Sequence, residues 1–488
     1  MNSFNTSMNI ANKKIIDVGI IGGGVGGLSL AHFLSERESG STNFSYKIFE
    51  QSGRTGGIIH SEKYNEFTFE HGPDAFMQKD ASLDPFFENL NLQSRLTPTI
   101  PSHRRSLIVS GGKLLGLPLG FYLCAPTQTF PFLTSPLMSP LGKIRTLMEP
   151  WIRSRKKSSD ESIEDFVRRR FGYENYQNIS QAMLGGIFTG DPSILSLRSC
   201  LPRLHELESH YGSIIRGLRK QQDRGAQVQG PRYQMFKTFK RGMEELPLAL
   251  AKSLSSNQLH IHTSIVKIEK DQGRWVLWDQ NQNSYLCKNI CLCVPSYVAA
   301  KLLSPIDPEL SSLLQQIQYS SSAIVNLGFA MKKNLPSAMG FVVPRKEKRN
   351  ILACGFLSQK FPLRAPKGKH LIRVFLGGAF QSQLVEFPNE KLIELAVQDI
   401  ENLFRTRIKI EVSSVKKWPQ SIPQYTLGHQ DRVARIIQKL SSHDKLYIGG
   451  NCLQGVGIPD TILKSKQIAK QIRKLGSDPT KPETDLSY

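Results

Sequence analysis

Gly22, Gly24 and Gly27 stand near the start of the chain at the spacing G-x-G-x-x-G, and Glu50 follows Gly27 by 23 positions (50 minus 27). Together these residues can do one kind of chemistry. The first glycine permits a tight turn, the second lets backbone approach a pyrophosphate, and the third lets a helix pack on a strand. A phosphate then sits at the helix N-terminus, among free N–H groups and the positive end of the dipole. The carboxylate of Glu50 is spaced to accept hydrogen bonds from a ribose. The elements needed to position them are legible too. Ile15 to Ile21 is a short apolar run of the kind that forms a buried parallel strand, Leu28 to Leu34 carries helix-spaced apolar residues, and Tyr46 to Phe49 reads as a second strand. The expectation is a dinucleotide-binding βαβ unit.

Just after the acid comes Arg54-Thr55-Gly56-Gly57. Arginine there is free to meet phosphate, and the glycine pair lets backbone pass close to a flat ring. At the far end, Lys445 to Ile448 reads as a strand, followed by Gly449-Gly450-Asn451 and then Gly455-Val456-Gly457-Ile458-Pro459-Asp460. Proline near a first helical position is a start signal. A capped helix without a ligand accounts for Pro459 and Asp460 but not for the glycines before them.

The 488 residues are 39% hydrophobic and 21% charged, an ordinary globular composition that excludes a disordered chain, a fibre or a disulfide scaffold. The net charge of +22 predicts attraction to anions: nucleic acid, an acidic membrane surface or a polycarboxylate ligand. Nucleic acid is not expected, because the cations show no helix-turn-helix, zinc or aromatic RNA-binding signature. The seven cysteines lack zinc spacing, so no metal site is expected, and Cys287, Cys291 and Cys293 read as reduced thiols in a buried strand. No secretory signal and no run of about 18 apolar residues is present, which fits a cytoplasmic protein, soluble or peripheral on the cytoplasmic membrane.

Between Leu114 and Leu141 the chain is apolar but broken by five prolines, which forbids a long helix. Arg153, Arg155, Lys156 and Lys157 follow. A helix is then expected from a capping box of Ser158 and Glu161 to Gly172, with Arg168, Arg169 and Arg170 as its basic end. An apolar, proline-rich surface beside clustered cations suits the interface of an anionic bilayer, and equally an ordinary loop packed on its own domain. Further strands are expected at Leu259–Ile268, Arg274–Leu277, Ile290–Val294, Ser320–Phe329 and Leu371–Leu376, and the tail after Leu475 reads as disordered.

Arg54-Thr55-Gly56-Gly57 followed by Phe69-Glu70-His71-Gly72-Pro73 resembles the flavoprotein amine oxidase superfamily, in which the glycine pair lies against bound FAD. That resemblance implies non-covalent FAD, with the helix opened by Ile458 aimed at the flavin's pyrimidine edge, where negative charge gathers on reduction. Glu161–Gly172, Leu184–Pro192, Leu195–Arg198, Pro202–Glu208, Gly212–Gly217, Trp418–Tyr425 and Gly428-His429, in this order, are similar to the oxygen-dependent protoporphyrinogen oxidases, over roughly Ile15 to Ile472. The resemblance implies six-electron oxidation of protoporphyrinogen IX to protoporphyrin IX in haem synthesis, with dioxygen as acceptor and hydrogen peroxide as by-product. Coproporphyrinogen III is the alternative substrate.

For FAD the resemblance implies Gly22, Gly24, Gly27, Glu50, Arg54, Gly56, Gly57, Val266, Gly450, Gly455, Val456, Gly457 and Ile458, with Ser52 as an addition. For the substrate it implies Arg105 on a propionate (Arg104 in reserve), Gly186 and Val342 along the cavity, and Phe361 stacked on a pyrrole. The matching stretch Arg104–Lys113 is one residue longer than the usual pattern, and leucine is the commoner residue at Val342. Taken singly, Gly186, Val342 and Phe361 are also consistent with core packing, and Val266 with a buried strand valine. No catalytic side chain is implied, since the hard chemistry belongs to the cofactor, and His429 reads as structural. The implied fold is α/β: a Rossmann-like FAD domain (14–86, 233–300 and 432–488), a mixed-sheet substrate domain (87–107, 205–232 and 301–431) and an inserted helical, membrane-facing segment (108–204). A homodimer is left open. The rivals are a flavin amine oxidase or carotenoid-type desaturase, and a prenylated-protein escort that has lost its flavin. Intact Arg54–Gly57 and Gly455–Ile458 oppose the escort.

Overall fold

The computed structural model describes residues 14–36, 44–155, 160–223, 235–331 and 334–477. Lys156, Lys157, Ser158 and the tail beyond 477 lie outside the described residues. The nucleotide-type sheet is built as its apolar pattern demands. Strand β1 (Ile16–Ile21) is almost wholly buried, turns through Gly22–Gly24 and feeds helix α1 (Val25–Ser35). Strand β2 (Tyr46–Phe49) lies parallel to β1, and Leu259–His260 extends the sheet beyond β2. On the other side of β1, also parallel, runs Ser284–Leu292. That strand has two outer partners. Its first half pairs antiparallel with Arg274–Asp279, and its second half pairs parallel with Leu446–Ile448. The expected single strand Leu259–Ile268 is therefore two, Leu259–His260 beside β2 and Ile265–Asp271 beside Arg274–Asp279.

A second seven-stranded sheet runs in the order Lys409–Gln424, Gln318–Ala330, His370–Gly377, Ile351–Gly355, Gly340–Val342, Ser106–Ser110, Lys113–Gly116. It is antiparallel except where Gly340–Val342 meets Ser106–Ser110 in parallel. The helix Asn389–Phe404 covers one face, with Leu392, Ala396, Ile400 and Leu403 joining the sheet's apolar core. The hairpin Ser106–Gly116 runs across the boundary expected at 107/108, and the helix Pro202–Tyr211 runs across the one expected at 204/205. A hydrogen-bonded ladder or helix does not divide there.

Short helices between Thr129 and Asp223 enclose their own core of Phe166, Phe171, Leu184, Leu207, Ile214 and neighbours. The helix Ile163–Phe171 starts later than its expected capping box. Ser162 is the N-cap, its hydroxyl accepting from the Asp165 N–H at 3.0 Å, and Gly172 at φ +91° ends it. Glu161 instead pairs with Arg169 (2.8 Å) and Arg155 (3.3 Å). The expected basic end is mostly internal: Arg170 is fully buried on Glu149 and Arg169 also bridges to Glu208, which leaves Arg168 facing outward beside Glu164. Among the described residues no helix is long and apolar enough to cross a membrane.

Candidate functional site

The glycine loop has three distinct jobs, each visible in space. Gly22 sits at φ +108°, and a Cβ placed on it would lie 2.4 Å from the Cys293 carbonyl oxygen. A Cβ on Gly27 would lie 2.0 Å from the carbonyl oxygen of Gly22, so helix and turn touch there. Around Gly24 no atom lies within 4 Å of such a carbon, which leaves its backbone open to a ligand. Glu50 is held for its task. Its Oε2 accepts from the Gly23 N–H at 2.8 Å, while Oε1 accepts from the Ser52 N–H (2.8 Å) and hydroxyl (2.7 Å). A carboxylate has about four acceptor positions, so one on Oε2 stays open for a ribose hydroxyl.

Gly56 and Gly57 come against this loop. The Gly56 N–H donates to the Gly23 carbonyl at 2.8 Å, and a Cβ on Gly57 would stand 3.4 Å from the Gly24 Cα. Arg54 is engaged within its own turn. Its guanidinium donates to the carbonyls of Thr55 (3.1 Å), Ile59 (3.2 Å) and Gly57, and so braces the turn from within. Val266 stands at a β-bulge with its side chain 55% exposed, which overturns the buried strand valine.

The far glycine segment arrives from the other end of the chain. Gly450 is as open as Gly24, whereas Gly455 and Gly457 are crowded by the side chain of Asp460 in the first turn of the helix Ile458–Ser477. Val456 packs partly against the helical core and links the two regions. Tyr425 and His429, stacked at 4.2 Å, hold this loop from outside: the tyrosine hydroxyl donates to the Asn451 carbonyl (2.5 Å) and His429 Nε2 bonds the Leu453 carbonyl (2.8 Å). His429 is structural here, and burial pulls its pKa down to about 4. Ser465 was not anticipated; its hydroxyl donates to the Gly26 carbonyl at 2.9 Å. The signal was the small residues Thr461, Ser465 and Ala469 at i, i+4, i+8, a stripe that allows close helix approach.

The Glu70-His71-Gly72 stretch, at the end of the hairpin Ser61–Glu70, is fastened to the second sheet. Its three successive carbonyls each accept from a different strand of the second sheet: Asn326 Nδ2 at Glu70 (3.3 Å), the Trp418 indole N–H at His71 and the Arg373 guanidinium at Gly72. The Glu70 side chain is buried, meets Arg364 at 3.2 Å, and has its pKa pushed up to about 7 by burial.

Of the substrate candidates, Gly186 and Val342 are brought together, with a Cβ on the former 3.9 Å from Val342 Cγ1. Arg104 is tied to Thr99 through its Nε and Nη2, both at 3.0 Å. Arg105 is exposed, and its guanidinium has no hydrogen bond or ion pair among the described residues. Phe361 is only 1% exposed, with Lys360 and Arg364 over its ring, so it is packed core rather than an open stacking platform.

Residues 25–473 match the family model described as flavin containing amine oxidoreductase. The chain belongs to this family. It is an FAD-dependent oxidoreductase, and its glycine loops and Glu50 fit that dinucleotide. FAD, when bound, supplies the acceptor for a hydride; the chain's own groups hold, orient and shield it. Among relatives of this oxidoreductase, the coproporphyrinogen III oxidase of Bacillus subtilis (strain 168) is 30% identical over 92% of this chain and 96% of its own length. Protoporphyrinogen oxidase 1, chloroplastic, of Spinacia oleracea is 29% identical over 94% of this chain and 84% of its own. The crystal structure of a candidate protoporphyrinogen oxidase from Exiguobacterium sp. 255-15 superposes with a TM-score of 0.84 at 24% identity, covering 95% of this chain and all of that one. That likeness concerns the fold.

Proposed function

We propose that this flavoenzyme carries out the six-electron oxidation of protoporphyrinogen IX to protoporphyrin IX, with dioxygen as acceptor and three hydrogen peroxide formed per macrocycle. The observation that carries the reading is the similarity to porphyrinogen oxidases along nearly the whole chain rather than at the nucleotide loop alone. The open guanidinium of Arg105 suits a propionate, since its fork matches a carboxylate, and Gly186 with Val342 offers an apolar wall for a flat ligand. A second reading, coproporphyrinogen III to coproporphyrin III, is favoured by the name of the Bacillus relative and by the +22 charge, which suits four carboxylates better than two. Aerobic porphyrin fluorescence with each porphyrinogen at equal concentration decides. Faster protoporphyrinogen oxidation supports the first reading, faster coproporphyrinogen oxidation the second, and no enzyme-dependent signal removes both.

The helical segment is proposed to face the cytoplasmic side of an anionic membrane. Phe130 (77% exposed), Leu141 (79%) and Trp151 (75%) stand out from three neighbouring short helices, with Ile144, Met148 and Lys143 between them. Co-flotation with anionic vesicles that is lost in Phe130→Ser/Trp151→Ser supports this; flotation equal in the variant removes it.

A further inference from the structure

Cys291 and Cys293 lie two residues apart at the end of the strand Ser284–Leu292, an interval that puts both side chains on one face. Their Sγ atoms are 3.6 Å apart, both as free thiols, Cys291 buried and Cys293 half-buried. The pair touches both glycine loops. A Cβ on Gly449 would meet Cys293 Sγ at 2.6 Å and Cys291 Sγ at 3.4 Å, and the Cys293 carbonyl stands directly behind Gly22. The Cys293 N–H also donates to the Ile21 carbonyl at 2.8 Å, which anchors it to the strand that carries the nucleotide turn. On the adjoining helix, Lys464 is buried close to Cys291, Cys293 and Cys452, and the hydrogen bond to Cys293 together with burial pushes the Cys291 thiol well above its ordinary pKa, so Cys291 waits as the protonated partner behind the more exposed Cys293.

We propose that Cys291 and Cys293 form a peroxide-responsive modification site that couples thiol oxidation to retention of FAD. The half-buried sulfur of Cys293 attacks hydrogen peroxide, the O–O bond breaks, and one oxygen remains as the sulfenic acid while the other leaves as water. Cys291 then attacks that sulfur; the S–O bond breaks, a second water leaves, and an S–S bond joins the two. Two electrons pass from the thiols to one peroxide. Closing the pair from 3.6 Å to about 2.05 Å draws Cys293 inward, and in the proposal the carbonyl that backs the Gly22 turn shifts with it. Peroxide is the by-product of flavin reoxidation by dioxygen, but added peroxide serves the pair equally, so the proposal stands apart from the choice of porphyrinogen.

The test takes purified holoenzyme, adds hydrogen peroxide, alkylates the remaining thiols and maps Cys291 and Cys293 by mass spectrometry, with free flavin measured by fluorescence of the filtrate. The expected result is a Cys291–Cys293 peptide lighter by two hydrogens, reversible with dithiothreitol, together with several-fold more released FAD. In Cys291→Val and Cys291→Ser, Cys293 should stop at sulfenic or sulfinic acid and FAD release should stay at the untreated level. Two outcomes would overturn the proposal: both thiols still alkylated after peroxide, or the disulfide formed with flavin release unchanged.

Discussion

Gly26 and Gly450, 424 positions apart in sequence (450 minus 26), lie back to back: a Cβ placed on Gly26 would stand 3.3 Å from both the Cα and the amide nitrogen of Gly450. The two glycine loops are one surface, made where α1 and the helix Ile458–Ser477 pack together and Ser465 reaches the Gly26 carbonyl. Backbone N–H groups from both helix starts can therefore address one anionic ligand.

Gly24 and Gly27 should separate binding from folding. Gly27→Ala drives a methyl onto the Gly22 carbonyl and should cost the apoprotein about 1–3 kcal/mol as well as its flavin. Gly24→Ala meets no atom of the protein within 4 Å. It should leave the apoprotein's urea midpoint unchanged while the purified protein loses most of its flavin absorbance. A lowered midpoint in Gly24→Ala would contradict its assignment as a ligand-facing position.

Arg104 and Arg105 are adjacent yet have opposite surroundings, one bound to Thr99 and one unpaired. Loss of a charged hydrogen bond costs about 1.5–3 kcal/mol, so Arg105→Ala should raise KM for the porphyrinogen about 10- to 100-fold with flavin content intact. Arg104→Ala should instead lower Tm with a smaller change in KM. Steady-state kinetics beside a melting curve for each variant checks both, and unchanged KM in Arg105→Ala removes Arg105 from the substrate site.

The βαβ unit was readable because its signals are local: β1, the glycine spacing, α1 and Glu50 all fall within 50 residues. The second sheet was only partly readable, since Ser106–Ser110 finds its partner at Gly340–Val342, more than 200 residues away, and no local pattern states such a pairing. Side-chain roles were hardest. The carbonyl partners of Arg54 could not be read locally, because they exist only once the Gly56–Gly57 turn has formed. Arg168, Arg169 and Arg170 read as one basic helix end, yet helix geometry separates them: Arg170 falls four residues after Phe166 and seven after Ile163, on the buried stripe. That phase was present in the sequence.

Glu149 is the group that makes a buried arginine tolerable. Its carboxylate meets Arg170, accepts from the Ser213 hydroxyl at 2.6 Å, and caps the helix Ile214–Asp223 through the N–H groups of Ile214 (3.0 Å) and Ile215 (3.1 Å). Removing one partner of a buried ion pair leaves an uncompensated charge and costs about 3–5 kcal/mol. Glu149→Ala should lose about that much in urea unfolding, whereas the double change Glu149→Leu/Arg170→Met should recover a large part of it. Equal losses in single and double variants would show that the helix cap, rather than the ion pair, dominates.

His429 should make the fold acid-sensitive. Its Nε2 bonds the Leu453 carbonyl and must therefore carry the proton, which leaves Nδ1 as a bare acceptor, buried and without a partner. Protonating Nδ1 would bury a charge and an unmatched N–H, so the pKa falls from 6.5 to about 4. Between those values the unfolded chain binds a proton that the folded chain does not. The stability contribution is thus fully present above pH 6.5 and is lost as pH falls toward 4, at up to about 1.4 kcal/mol per pH unit for one proton. His60, also depressed to about 4 by burial and by Arg54 beside it, acts in the same direction. Urea unfolding at stepped pH should show this slope in the native chain and a slope smaller by about one proton in His429→Gln, which keeps an N–H for Leu453. An identical slope in the variant would show that the acid dependence arises elsewhere.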